Sequence, residues 1–150
     1  MPNTATEYAQ TFMMHRTPLL ELLEKIPADQ GSFTAWEGGR SITELVDHMA
    51  STTHGFGVMA TGGKPERLPP SPDFPAALQR IRTVSEKAHS TIAALSEAQL
   101  TSEIQAFGGR TMPVYRLLDF LIQHEAHHKG QLWVMARMIG LEPPMFVKFE

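Results

Sequence analysis

Apolar side chains recur every three to four residues over four long stretches of this chain, and most of its glycines and prolines fall between them. That period predicts amphipathic α-helix. The first stretch runs from Ala5 to Ile26, with Tyr8, Phe12, Leu19, Leu23 and Ile26 on one stripe and a capping box from Thr4 and Glu7. Pro18 lies within it and predicts a kink or a break, since it has no N–H for the Met14 carbonyl. The second opens at Ser41, with Glu44 completing a capping box. It places Ile42, Leu45, Met49, Thr52 and Phe56 inward and ends near Thr61-Gly62-Gly63. The third follows the Pro-rich stretch Pro69 to Pro75 and turns Leu78, Ile81, Val84, Ala88, Ile92 and Leu95 to the core. The fourth starts near Pro113, a good first-turn residue, and ends by Gly140 ahead of Pro143-Pro144.

The fold this predicts is all-α, a four-helix bundle with long crossover connections. The links Pro27 to Arg40, Gly62 to Pro72 and Ser96 to Met112 are longer than bundle turns usually are, so simple up-and-down wiring is not required. Within the last link, Ile104 to Phe107 and the turn Gly108-Gly109 fit a small hairpin. No repeat or domain boundary interrupts the chain, which reads as one domain spanning 1–150.

Composition narrows the function classes. An apolar fraction of 42% with 19% charged residues suits a globular protein. The formal charge of -3, with no basic stripe, speaks against nucleic acid as a partner. No signal peptide or membrane-spanning run is evident, so the expected compartment is the cytoplasm. Cysteine is absent, which removes disulfides, thiolate catalysis and Cys-ligated zinc. Nitrogen ligands must come from the seven histidines: His15, His48, His54, His89, His124, His127 and His128.

The fourth helix carries the informative chemistry. At about 100° per residue, His124 and His128 share the stripe of Leu117, Leu121, Leu132, Met135 and Ile139, while Ala126, Lys129, Gly130 and Arg137 face away. An unpartnered buried imidazole costs about 1–3 kcal/mol. Two neutral imidazoles stacked at i and i+4 fit a divalent transition metal, or else two core histidines bonded to carbonyls or water. His48, at the edge of the second helix's stripe, is the best third ligand by position. His127 reads as rim, His54 and His89 as surface, and His15 as a core histidine, a substrate-facing group or a spare ligand. Gln131 is placed to orient a ligating imidazole or a bound reactant. Glu125 reads as an exposed carboxylate, with a general base as the other option. Trp133 falls opposite the stripe, and with Met13 and Leu20 it suggests a homodimer interface.

HEAHH also satisfies H-E-x-x-H, the zincin peptidase pattern, with Glu125 as base. The continuation of that pattern is missing: Gln131 and Val134 stand where a metzincin has Gly and His, and only Glu142 and Glu150 follow as acidic ligands. No sheet edge is expected to hold a peptide.

The segment Ser41-Ile-Thr-Glu-Leu-Val-Asp-His48, with His124-Glu-Ala-His-His128-Lys-Gly-Gln131-Leu about 75 residues later, resembles the DinB family, the DinB/YfiT-like metalloenzymes. Trp36 and the run His15-Arg-x-x-Leu-Leu-x-Leu-Leu are similar too. Lys129 stands where the family often has Arg. The resemblance implies a bundle with crossover wiring, commonly a homodimer, and a zinc or nickel ion held by His48, His124 and His128. It further implies a transferase or isomerase that joins a low-molecular-weight thiol (mycothiol, bacillithiol or glutathione) to a small electrophile. A hydrolase at the same ion, a metal-stapled stress-response module without catalysis and a metal-free bundle with an apolar ligand are the other expectations.

Overall fold

The computed structural model describes residues 2–149. Four long helices form the bundle: α1 (Ala5–Lys25), α2 (Ile42–Ala60), α3 (Phe74–Ala93) and α5 (Val114–Met138). A short α4 (Glu97–Thr101) and two strands, β1 (Glu103–Gln105) and β2 (Thr111–Pro113), fill the link ahead of α5. The expected capping boxes at Thr4/Glu7 and Ser41/Glu44 both form, and α3 is capped by the Asp73 side chain on the Ala76 N–H. The expected hairpin is present, with Ile104 opposite Met112 and the turn carried by Gly108 and Gly109 at φ 66° and 71°.

Around the bundle α1 packs on α3 and α5, and α2 packs on the same two helices. Each apolar cluster shows which helix ends meet. One joins Tyr8, Phe12, Phe56, Met59, Ile92, Leu95, Leu117 and Leu118. The other joins Leu19, Leu23, Ile42, Leu45, Phe74, Ile81, Leu132 and Met135. The N-terminal half of α1 therefore meets the N-terminal half of α5 and the C-terminal halves of α2 and α3. Helices α2 and α3 are parallel, and the chain between them must travel back along the bundle. It runs past Gly55, where a Cβ would stand 3.5 Å from Pro65, and is held by Asp47, whose carboxylate accepts from the N–H and hydroxyl of Ser71, each at 2.6 Å. This is the crossover the long links allowed.

Between the two apolar clusters lies a buried polar layer with one contribution from each long helix. Arg16 on α1 donates through Nε and Nη2 to Glu125 of α5 at 2.8 and 2.7 Å, through Nη1 to Ser85 of α3 and through Nη2 to Thr53 of α2, both at 2.8 Å. Arg16 is 0% and Glu125 1% exposed.

Four expectations are corrected. Helix α1 passes Pro18 without the break offered as the alternative to a kink, and the Met14 carbonyl that proline leaves free accepts the N–H of Lys148, 3.0 Å away in the C-terminal tail. Glu125 is buried and ion-paired rather than exposed. Lys129, placed on the outer face by the wheel, is buried. Trp133 is also buried: its indole N–H donates to the Pro144 carbonyl at 3.2 Å, so this chain's own tail covers it. The last three share one cause. The apolar stripe marks only part of the buried arc of α5, because α1 and the tail cover a second flank that includes Glu125, Lys129 and Trp133. Smaller shifts fall on α2 and α3: Thr53 is buried where Thr52 was expected, and Leu78 and Val84 are half-buried. No helix among the described residues is long and apolar enough to cross a membrane.

Candidate metal centre

Antiparallel packing of α2 on α5 sets His48 against one face of two successive α5 turns. His48 Nε2 lies 2.9 Å from His124 Nε2 and 3.0 Å from His128 Nε2. Two nitrogens bound tetrahedrally to one ion at about 2.1 Å would be roughly 3.4 Å apart, so the observed spacing is close to that of a shared ligand set. Among the described residues these three form the cluster able to hold a metal ion.

Hydrogen bonding orients one of the donors. The Gln131 side-chain carbonyl accepts from His128 Nδ1 at 2.7 Å, which assigns the proton to Nδ1 and leaves the Nε2 lone pair facing the other two rings. A single N–H on His48 Nε2 cannot satisfy both facing nitrogens, whereas a cation between all three satisfies every lone pair. The donor set therefore fits a divalent transition ion, with His48, His124 and His128 as holders.

Electrostatics keep the rings neutral and ready to ligate. Burial lowers the pKa of His48 to about 4, with the Arg40 and His128 charges adding to it. Burial lowers that of His124 to about 3, reinforced by His128 and His48. His128 is lowered by burial, against an opposing push from its bond to Gln131. Although these environments are apolar, His48 and His124 remain partly exposed, so the centre opens to solvent at the α2–α5 seam. On one side of it stand Trp36, Arg40, Leu45, Gln131 and Met135. On the other, Phe56, Phe107 and Phe120 stack with centroids 5.1–6.0 Å apart.

The remaining candidates fall outside the trio. Glu125, the would-be peptidase base, has both oxygens committed to Arg16, so the H-E-x-x-H reading loses its proton acceptor. His15 belongs to a different cluster: its Nδ1 accepts from Lys129 Nζ at 2.9 Å, and Lys129 also donates to the Phe146 carbonyl. Burial, then the Lys129 charge, lowers the His15 pKa. His127 and His89 are exposed, as expected, and His54 is half-buried beside a groove between α2 and α3. Two residues were given no role of their own from the sequence. Arg16 lies on the Phe12–Leu19 stripe of α1, a position that signals burial. Arg40, just before the α2 cap, carries no such signal, because only the folded loop brings it to the centre.

Comparison with known proteins agrees with this fold. The DinB family model matches residues 1–149. The Bacillus subtilis (strain 168) protein YjoA is 33% identical over 134 residues, 86% of either chain. The crystal structure of that DinB-like protein superposes with a TM-score of 0.83 over 96% of this chain and 99% of its own. A DinB-like protein from Bacillus cereus, 21% identical, shares the fold with a TM-score of 0.82 over 96% and 98%. The family match over nearly the whole chain and the likeness to YjoA lead to one conclusion: the chain belongs to the DinB family.

Proposed function

We propose that the protein is a metal-dependent transferase that joins a low-molecular-weight thiol to a small electrophile at His48, His124 and His128. The observation that carries this reading is the meeting of three imidazole Nε2 atoms, with His128 held in the ligating tautomer by Gln131. Bound there, a zinc or nickel ion would keep its full charge and act as a Lewis acid, lowering the pKa of a thiol or of water. The chain's part is to hold three neutral rings in register, to fix His128 through Gln131 and to admit reactants along the α2–α5 seam. Glu125 takes no direct part, since both its oxygens are engaged with Arg16, and His15 stands outside the trio with its Nδ1 held by Lys129.

A metal that only stapled the bundle would call for a closed site. The partial exposure of His48 and His124 favours exchangeable chemistry instead. The proposal includes a homodimer, supported by the exposed apolar side chains Phe120, Val134 and Met138 on α5 and tested by sedimentation equilibrium. Elemental analysis of the purified protein, then a thiol-conjugation screen with and without chelator, tests the activity. Near-stoichiometric metal and chelator-sensitive conjugation are expected. Metal without conjugation of any thiol would establish the staple, and folded, metal-free protein that is indifferent to His124→Ala would remove the metal altogether.

A further inference from the structure

The loop before α2 is built to hold one cation beside the histidine trio. Thr34 and Ser41 pair across its base, and the Gly39 N–H donates to the Trp36 carbonyl at 3.1 Å. Gly38 takes φ +78°, and the Trp36 indole folds onto Gly39 so tightly that a Cβ there would sit 2.7 Å from the ring. Trp36 is nonetheless 58% exposed, an aromatic plate at the rim of the centre.

Arg40 follows directly and, like Arg67, Arg110, Arg116 and Arg137, pairs with no carboxylate among the described residues; of these five it is Arg40 that stands beside Gln131. The nearby Glu44 is already engaged by the Ser41 N–H. With Trp36, Leu45, Gln131 and Met135, Arg40 lines a cleft of about 40 Å³. A water needs roughly 10–15 Å³ measured this way, so the cleft suits a group of a few heavy atoms. Gln131 forms the shared wall: it lines the cleft and also holds His128. A small group seated there is one side chain away from the ligating rings.

We propose that this cleft receives the carboxylate of a small reactant, gripped by the Arg40 guanidinium and covered by the Trp36 indole, while the reactant's remaining atoms point to the three histidines. A planar fork of N–H donors matches a carboxylate. Leu45 and Met135 furnish apolar walls beside it, while Arg40 itself stays exposed and can be reached from solvent. The inference rests on the thiol-transferase reading only for which reactant bears the carboxylate, and selectivity then follows from charge. Anionic thiols are preferred over neutral ones of equal length.

The test uses zinc-loaded protein and 1H–15N spectra that follow the Trp36 indole N–H and the Arg40 Nε–H. The probes are 3-mercaptopropionate, its amide and propionate. Both signals should shift with 3-mercaptopropionate, which should bind about tenfold more tightly than the amide. In Arg40→Gln that ratio should fall to near one, with Arg40→Lys between. Equal affinities in the native protein, or a preference that survives Arg40→Gln, would overturn the proposal. Propionate separates the two readings: if it binds as well as 3-mercaptopropionate and loses affinity in Arg40→Gln, the carboxylate site stands and the thiol reading falls.

Discussion

Arg16 grips both oxygens of Glu125, at 2.8 and 2.7 Å, in a layer sealed from water at mid-bundle. Phe12 covers the guanidinium from below, its ring centroid 4.7 Å away. The pair replaces the acid–base role that H-E-x-x-H suggested with a structural one. Removing one partner strands the other charge, so Glu125→Ala should destabilise by about 3–5 kcal/mol, while Arg16→Met with Glu125→Leu should recover most of that loss. Urea titration measures both. A single variant as stable as the native protein would refute the account.

The Gln131 contact makes a separable prediction about the metal. Gln131→Ala should weaken zinc binding by about 10–100-fold, since His128 loses the acceptor that fixes its tautomer. Folding should be spared, because Gln131 lies at the edge of the buried surface. Chelator competition reports the affinity, and circular dichroism confirms the helix content.

Stability without metal should depend on pH in a defined direction. An unfolded histidine titrates near 6.5, whereas folded His48 titrates at about 4 and His124 at about 3. Between pH 6.5 and about 4 the unfolded chain binds protons that the folded chain does not. The free energy of unfolding should therefore fall as the solution is acidified through that window, and these two groups should leave it level above pH 7. His48→Phe should flatten the slope. An unchanged slope in the variant would contradict the prediction.

The tail supplies a further test. Lys148 closes the carbonyl freed by Pro18, Pro144 accepts from Trp133, and Phe146 covers the Lys129 amine, with its ring centroid 5.5 Å from Nζ. Deleting residues 145–150 removes two of these contacts and uncovers the rest. In a Trp36→Phe background, leaving Trp133 as reporter, the emission should shift to the red and stability should drop by about 1–3 kcal/mol. An unshifted spectrum would show that the tail does not shield the indole.

Local pattern determined much of this protein. The spacing of apolar residues defined four helices to within about two residues at most ends, because a helix face and its caps are set by neighbours three and four positions apart. The same spacing put His124 and His128 together. His48 was legible as the third ligand only by position and by likeness to the family, since no local rule says which helix packs on which. Tertiary structure alone decided the rest. Helix α1 and the tail covered a second flank of α5, turning Glu125, Lys129 and Trp133 from outer residues into buried ones, and the loop brought Arg40 to the centre. A one-dimensional period records how apolar a face is, whereas burial of a charge depends on whether a partner such as Arg16 arrives from another helix, 109 residues away in sequence.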